Sequence, residues 1–450
     1  MAFGWETVVA CAVAAACLAL WPRTLVGNSR EWFLAAFSAV VLWVWQPLAL
    51  AVTLALTGLT WLALRHGRKD PLPRLPVAVA VTLLVGTLVA FKYVPWASGW
   101  AVPLGLSFTV FRLIGVILDV NALRIPLTPS RLLALSLFFP TLPAGPITTV
   151  RSFRELGADE PSRAGWSQAG WRIIQGLARK FLLADPLYAL VVGPWLGTGV
   201  SRLEPYQCLV LPVLLGLYVY WDFAGYSDIA IGMARLVGYE VPENFDRPYA
   251  SRSIIEFWRR WHITLSEWIR GRLMMKMAGR RPTLWRLHGA TLASMALCGL
   301  WHGAGPGFLV WGLWHGLGLV GLHLFSDAQR RSPSFRAFSD RVLGDTMSTA
   351  LTFAFVTVGW TFFFLSPADA LTLLATGLGW RGGGGVALAA PLLVLGALVL
   401  AHLGGGRVRA WWPQVPGLVR LSGRTVLLGI LAYVLFLTSS GGQGFFYAQF

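Results

Sequence analysis

Long apolar segments alternate with short basic ones along the whole chain. A helix needs about 20 apolar residues to cross a bilayer. Candidate spans of roughly this kind lie at residues 4–21, 32–45, 47–64, 76–94, 102–122, 181–200, 207–237, 287–303, 306–325, 346–365, 387–403 and 425–440. Residues 32–64 are too long for one crossing, and Gln46-Pro47 predicts a turn between two short spans. The pattern predicts an all-α polytopic membrane protein with about 11–13 transmembrane or re-entrant helices.

The composition supports the same class of protein. The 450 residues are 56% hydrophobic and only 13% charged, whereas soluble proteins carry about 25% charged residues. The first apolar run has no basic residues before it, which favours an uncleaved span over a signal peptide. The longest polar segments are themselves rich in Trp and Leu. We therefore expect a single integral-membrane domain over residues 1–450.

The basic residues indicate how the spans are oriented. The formal net charge is +17, and most Lys and Arg residues fall in six clusters at 22–30, 65–74, 151–180, 247–286, 329–341 and 406–424. Twelve spans that start from an outside N-terminus place all six clusters in the cytoplasm, as the positive-inside rule requires. This distribution predicts a multi-pass protein of the inner (cytoplasmic) membrane in contact with lipid. It argues against a nucleic-acid partner.

One apolar segment is unsuited to a regular helix. Residues 132–149, LLALSLFFPTLPAGPITT, contain Pro140, Pro143 and Pro146 beside Gly145. Irregular backbone at membrane depth persists only where it packs within protein or lines a wet cavity. We expect a re-entrant segment around a cavity, and an ordinary kinked span is the alternative.

The stretch SRSIIEFWRRWHITLSEWIRGR (251–272) predicts an amphipathic helix at the cytoplasmic interface. Ser253 and Glu256 fit a capping box at its start. Helical spacing forms an apolar face from Trp258, Trp261, Leu265 and Trp268. The opposite face carries mainly Arg259, Arg260, Glu267 and Arg270. Such helices place Trp at the headgroup level and Arg towards water or phosphate.

His262 lies within this helix, four residues after Trp258 and four before Ser266. It falls where the apolar and polar faces meet, so its imidazole could point inward. An interfacial histidine is more often incidental than catalytic, and a basic helix more often only anchors to lipid. The stretch by itself leaves both readings open.

The string Gly-Leu-Trp-His-Gly occurs twice. Its histidine is His302 in the first copy and His315 in the second. His302 precedes Ala304-Gly305-Pro306-Gly307, where a helix cannot continue, and His315 lies inside the next span. An intramembrane ionisable residue is a functional candidate by default, and neutral imidazole is well suited to accept a proton from a hydroxyl. His302 is the better candidate. His315 is expected to form a helix-packing hydrogen bond.

Neither a metal nor a bound cofactor is expected. The two histidines lack metal-ligand spacing and a nearby acidic ligand, and the four cysteines form no ligand pattern. Asp222 and Asp228 lie inside the 207–237 span, where an acid costs about 2.5 kcal/mol or more and normally has a partner. Hydrogen bonding between helices is at least as good an explanation of these acids as catalysis.

The residues from 222 to 270, DFAGYSDIAIGMARLVGYEVPENFDRPYASRSIIEFWRRWHITLSEWIR, closely resemble the signature of the membrane-bound O-acyltransferase family. The likeness is greatest to its bacterial branch, which contains the alginate O-acetylation and teichoic-acid D-alanylation membrane proteins. The same branch is indicated by VPLGLSFTVF (102–111), FFPTLPAGPI (138–147), GLWHGA (299–304) and FFYAQF (445–450). The resemblance covers about residues 100–325 and returns at the C-terminus.

The resemblance implies many helices around a central funnel, where a cytosolic acyl donor meets an acceptor from outside. In that family the histidine of G-x-W-H-G is catalytic and corresponds to His302, and that of F-W-R-R-W-H is its usual partner and corresponds to His262. Asp222, Trp301 and Ser266 are candidate supporting residues. Residues 270–281, RGRLMMKMAGRR, depart from the family pattern by losing acidic and aromatic positions, which leaves the donor's identity open.

The resulting expectation is O-acyl transfer from acetyl-coenzyme A or another acyl thioester. The donor's phosphates would meet basic residues on the cytoplasmic face, namely Arg259, Arg260, Arg270 and Arg272. The acceptor would be a polysaccharide hydroxyl outside the cell, or a hydroxyl of an extracytoplasmic esterase-like partner that relays the acyl group. Two alternatives remain: a proton-coupled transporter or channel, and an acyltransferase acting on a lipid or small molecule.

Overall fold

The computed structural model describes residues 28–65, 74–94, 102–123, 127–155 and 163–379. The predicted spans 4–21, 387–403 and 425–440 and the terminal FFYAQF lie outside the described residues. Nearly all regular structure in the described ranges is helical. Two strands of two residues each, Arg154–Glu155 and Tyr239–Glu240, pair antiparallel.

The first helices follow the apolar segments closely. They are α1 (Asn28–Trp45), α2 (Pro47–Leu64), α3 (Arg74–Tyr93), α4 (Leu106–Leu123), α5 (Pro129–Leu137) and α6 (Arg163–Ala178). A continuous helical run then reaches Thr198 through π-helical turns at Arg179–Ala184 and Tyr188–Val192, with α7 (Asp185–Leu187) and α8 (Gly193–Thr198) as its α-helical parts. A 3₁₀ turn at Val200–Arg202 leads into α9 (Pro205–Leu236).

The later helices carry the histidines. After a 3₁₀ turn at Pro248–Ala250 come α10 (Ile254–Arg260), α11 (Ile263–Trp268), a π-helical turn at Ile269–Met274, α12 (Met275–Ala278), α13 (Leu284–His302) and α14 (Pro306–Arg331). The described part of the chain ends with α15 (Pro333–Val342), α16 (Asp345–Phe364) and α17 (Pro367–Gly377).

The membrane character of the chain is confirmed. Within the described residues, six helical runs are long and apolar enough to cross a bilayer: Pro47–Leu64, Arg74–Tyr93, Gly165–Thr198, Pro205–Leu236, Pro306–Arg331 and Asp345–Phe364. The turn predicted at Gln46-Pro47 is also present, because α2 begins at Pro47. The chain is an all-α polytopic membrane protein. The total of 11–13 helices and the central funnel stay predictions.

The described residues fall into two compact units. The first contains those of 28–179 and 223–243, and the second contains those of 180–222 and 244–379. The predicted single domain over 1–450 is not tested by this division. All the sequence-predicted site residues belong to the second unit.

In the first unit, residues 132–137 of the predicted re-entrant segment belong to α5, and residues 138–148 are buried and non-helical. The departure from a regular helix after Leu137 is confirmed, and re-entry into the membrane stays a prediction. The non-helical backbone is satisfied from inside the protein. The fully buried guanidinium of Arg112 donates to the carbonyl oxygen of Thr141 at 3.2 Å and to its hydroxyl at 2.8 Å. The hydroxyl of Tyr226 donates to the carbonyl oxygen of Pro140 at 2.8 Å. The cavity expected beside this segment stays a prediction.

In the second unit, a buried hydrogen-bonded pair ties distant segments together. The Tyr249 hydroxyl donates to the carbonyl oxygen of Gly216 at 2.6 Å, and the Trp360 indole N–H donates to the Tyr249 hydroxyl at 3.0 Å. The Trp261 ring packs on that of Trp360 with centroids 4.9 Å apart. These contacts fix α9, α16 and the residue that precedes His262.

Candidate active site

The predicted amphipathic helix over 251–272 is broken at His262, which corrects the expectation of one continuous helix. Its start is as predicted: the Ser253 hydroxyl accepts the Glu256 N–H at 3.2 Å, and the Glu256 carboxylate accepts the Arg252 N–H at 2.7 Å. The helix α10 then ends at Arg260, and α11 begins at Ile263. His262 has φ 40° and ψ 56°, a left-handed conformation that is uncommon for a residue with a side chain.

The cause of the break is a neighbouring segment that supplies backbone and side-chain partners. The Ile263 N–H donates to the carbonyl oxygen of Asn244, and the Asp246 N–H donates to that of Arg260, both at 3.0 Å. The Asn244 side chain is fully buried. These bonds hold the chain in a conformation that the periodicity of residues 251–272 does not encode.

Asn244 also determines which nitrogen of His262 carries the proton. Its Oδ1 accepts the Thr264 hydroxyl at 2.9 Å and lies 3.0 Å from Nδ1 of His262. A carbonyl oxygen can only accept, so Nδ1 of His262 donates to it and the ring's lone pair is on Nε2. Burial lowers the pKa of His262 from its ordinary 6.5 to about 3. The ring is therefore neutral at pH 7, with Nε2 as a hydrogen-bond and proton acceptor.

His302 ends α13, and its side chain is only 2% exposed. The helix break predicted after it is confirmed, because Gly303 is the C-cap and the next helix begins at Pro306. Aromatic rings surround the imidazole at centroid distances of 4.6 Å (Trp301), 4.9 Å (Phe363), 5.2 Å (Trp311) and 6.3 Å (Phe308). The candidate base is thus held at a helix end within an apolar cage.

The repeated motif has a packing role that its glycines explain. A Cβ atom at Gly299 would collide with the carbonyl oxygen of Phe308, and one at Gly312 would collide with that of Met295. Each of these two Cβ positions also lies within 3.3 Å of the other glycine's backbone nitrogen. The first glycines of the two copies therefore meet where α13 crosses α14. Small residues commonly permit such close approach of membrane helices.

His315 is not the hydrogen bonder that the sequence suggested. It is fully buried, and neither ring nitrogen has a hydrogen-bond partner among the described residues. Its ring instead lies among Trp311 (5.1 Å), Trp258 (5.2 Å), Phe355 (5.9 Å) and Phe257 (6.0 Å). Trp311 thus contacts both histidines of the repeat, and His315 serves aromatic packing.

A chain of aromatic rings links the two candidate catalytic histidines. Trp261, which directly precedes His262, packs on Trp360, whose ring lies 5.9 Å from that of Trp311. Trp311 in turn contacts His302. The structure therefore places both histidines in one aromatic core, although their separation in sequence is 40 residues.

Asp222 is fully buried and lies in an ion-pair cluster. The Lys180 ammonium is 2.7 Å from Oδ1 of Asp222 and 2.7 Å from Oδ1 of Asp185. In the first unit, Asp228 likewise pairs with Arg172 and Arg179. The expectation that intramembrane acids have partners is confirmed, and the partners are cations. Lys180 was missed because a single Lys at the edge of an apolar run looks like an end-of-span residue.

The other candidates separate into two groups. Arg259, Arg270 and Ser266 line one cavity, which also contains Glu267. Arg260 pairs with Glu256 at 2.7 Å, and Arg272 does not line this cavity. The Ser266 hydroxyl donates to the carbonyl oxygen of Trp261 at 3.0 Å, which supports the bend at His262. Within the described ranges, no three His, Cys, Asp or Glu side chains form a group that could hold a metal ion.

A buried histidine at a broken helix end and a second histidine in a fixed tautomer thus lie in one aromatic core, and both side chains are suited to proton transfer. Residues 128–346 match the model of the membrane-bound O-acyltransferase (MBOAT) family. The chain therefore contains a domain of that family, which includes His262 and His302.

Three relatives illustrate the range of similar proteins. The chain is 32% identical over 354 residues to the probable alginate O-acetylase AlgI of Pseudomonas fluorescens, covering 74% of this chain and 63% of that protein. It is 32% identical to the teichoic acid D-alanyltransferase of Streptococcus thermophilus, covering 53% and 61%. It is 30% identical to the peptidoglycan O-acetyltransferase of Helicobacter pylori, covering 50% and 42%. The matches thus span between 42% and 63% of the length of these relatives.

Proposed function

We propose that this chain is a membrane O-acyltransferase, with His302 as its catalytic base. The observation that carries the proposal is the position of His302, which is the histidine of the family motif and is buried at the break between α13 and α14. His262 supports it, because its neutral ring offers Nε2 as an acceptor. That nitrogen would orient the acceptor hydroxyl by accepting its hydrogen bond.

The reaction needs a base that both takes and returns a proton. His302 removes the proton of the acceptor hydroxyl. At the same time the hydroxyl oxygen attacks the thioester carbonyl carbon and forms the new C–O bond. The tetrahedral intermediate collapses, the C–S bond breaks, and the leaving thiolate receives the proton from the His302 imidazolium. Neutral His302 is restored, and such proton transfer contributes roughly 10²–10⁴-fold in rate.

The relatives' names suggest the group transferred. Two of them are named for O-acetyl transfer and one for D-alanyl transfer. We therefore propose acetyl-coenzyme A as the donor and an aminoacyl thioester as the alternative. The basic cytoplasmic surface that includes Arg259, Arg260, Arg270 and Arg272 would attract a donor's phosphates.

The acceptor proposed is a hydroxyl of an extracytoplasmic polymer of the cell envelope, or of an esterase-like partner that relays the acyl group. The protein would then lie in the inner membrane, with the donor and acceptor on opposite sides. A lipid or small-molecule acceptor would need no such partner. Acyl transfer to purified polymer by the isolated chain would argue against a relay.

The deciding experiment measures covalent transfer without a gradient. The full chain is purified in detergent and supplied with radiolabelled acetyl-coenzyme A and an extracellular polysaccharide, with and without the candidate partner. Label bound covalently to the polymer or partner is the expected result. Gradient-driven uptake in vesicles, with no covalent product from either acetyl or aminoacyl thioesters, would instead establish the transporter alternative.

A further inference from the structure

A cavity of about 290 Å³ lies among α10, α11, α13 and α14, and its rim includes Arg259 and Arg270 of the basic surface described above. Its volume is close to the lower end, about 300 Å³, of ordinary ligand pockets. Its rim is exposed and charged, with Arg259, Arg270 and Glu267. Its deeper lining is buried and includes Trp258, Ile269 and Met295.

The hydroxyl groups of this lining already donate their protons within the protein. Ser266 donates to the carbonyl oxygen of Trp261 at 3.0 Å, Ser294 to that of Thr291 at 3.0 Å, and Thr291 to that of Leu287 at 2.9 Å. The Nδ1 atom of His323 is a further polar atom of the lining. The depth of the cavity therefore presents mostly carbon to a ligand, and the positive charge is at the rim.

We propose that this cavity binds an anionic phospholipid. One acyl chain would occupy the apolar depth, and the phosphate would lie against Arg259 and Arg270 at the rim. A nucleotide fits this surface less well, because its base and ribose would lose hydrogen bonds to water in a lining that is mostly carbon. The charged rim belongs to an amphipathic pair of helices, of the kind that lies at the membrane surface.

The test is lipid binding by the full chain in detergent, measured by native mass spectrometry. Phosphatidylglycerol is compared with phosphatidylcholine of the same acyl chains, so that only the headgroup charge differs. The wild type is expected to bind phosphatidylglycerol more tightly than phosphatidylcholine. Since one basic residue contributes about 1 kcal/mol to binding an anionic surface, Arg259→Ala and Arg270→Ala should each weaken it about fivefold.

Three further variants sharpen the test. Arg280→Ala removes an exposed arginine of the same basic segment that does not line the cavity, so it should leave binding unchanged. Glu267→Gln removes the negative charge from the rim and should strengthen binding. Ser294→Leu adds bulk to the floor and should weaken binding, with the melting temperature measured to verify folding.

Two results would overturn the proposal. One is equal binding of phosphatidylglycerol and phosphatidylcholine, with no change in either affinity in Arg259→Ala or Arg270→Ala. The other is displacement of phosphatidylglycerol by coenzyme A with loss of coenzyme A binding in the same variants, which would assign the cavity to the thioester donor. The proposal does not depend on acyl transfer, so an inactive chain that binds the lipid would leave it standing.

Discussion

Two histidines in identical five-residue settings have different surroundings. His302 lies at the end of a helix, and His315 lies in the middle of one among four aromatic rings. We predict that His302→Ala abolishes acyl transfer at normal membrane abundance, and that His302→Gln does not restore it, because an amide cannot take the proton. His315→Ala should retain turnover. Transfer rates and immunoblots of the membrane fraction measure both.

The loss in His315→Ala should appear as reduced stability, because removing a buried ring leaves a cavity. Large-to-small replacements in protein cores cost about 2–5 kcal/mol. His315→Leu refills part of that space and should recover most of the melting temperature. An active His302→Gln, or an inactive but well-folded His315→Leu, would show that the catalytic assignment is reversed.

The buried His262 makes stability depend on pH. Its pKa is lowered to about 3 by burial, whereas the unfolded chain has the ordinary value of about 6.5. Below pH 6.5 the unfolded state therefore binds a proton that the folded state does not, and stability falls as the pH falls. Between pH 7 and pH 5 this group should cost about 2 kcal/mol, and above pH 7 it should cost nothing.

His262→Asn is the matched variant for this measurement, because Asn tolerates the left-handed backbone and does not titrate. The melting temperature of the wild type should fall more steeply from pH 7 to pH 5 than that of the variant. All other titrating groups are common to both proteins, so the difference isolates His262. Parallel curves would contradict a neutral, buried ring.

At the scale of the element, periodicity predicted where helices occur but not where they bend. Helices occur at the predicted spans from 32–45 to 346–365, because a run of apolar residues has few alternatives in a membrane. The break at His262 was missed because its cause, Asn244, lies 18 residues away. The hydroxyl of Tyr226 and the guanidinium of Arg112, which bond to Pro140 and Thr141 of the non-helical segment, were missed for the same reason. The catalytic candidates were found through motifs. Asn244, which bonds to His262, could be found only from the structure.

The crossing of α13 and α14 depends on the absence of a side chain at Gly312. We predict that Gly312→Ala destabilises the protein by roughly 1–3 kcal/mol, because the backbones must separate. Gly321 lies in the same helix with open space around it, so Gly321→Ala should be neutral or stabilising. Melting temperatures of the two variants test this. Equal effects would mean that the crossing tolerates a methyl group.

Gly145 lies in the segment beside which a cavity is expected. A bulky replacement there would be an obvious probe of the predicted cavity. Gly145 has φ 85°, and a Cβ atom would lie 2.8 Å from the Phe108 ring. Any side chain at this position would strain the backbone, so a loss of activity would report on folding rather than on a cavity.

At the scale of the whole molecule, orientation follows from the distribution of charge. Residues 247–286 carry ten Arg or Lys residues against two acids, Glu256 and Glu267, so they should face the cytoplasm. In a background without other reactive thiols, a cysteine at the exposed position Arg280 should resist an impermeant thiol reagent in intact cells and react after permeabilisation. Ready labelling in intact cells would reverse the orientation, and with it the side from which the donor enters.

The pair formed by Lys180 and Asp222 bears on how the protein is made. A single charge left in hydrocarbon costs about 2.5–3.5 kcal/mol on insertion scales, and the two residues belong to successive helical runs, Gly165–Thr198 and Pro205–Leu236. Lys180 also pairs with Asp185 of its own run, so separate release would leave Asp222 of the second run without its cation. Released together, they would enter as a hairpin in which Asp222 is already paired with Lys180. The ribosome-bound chain is therefore expected to hold the first run at the insertion machinery until the second has emerged.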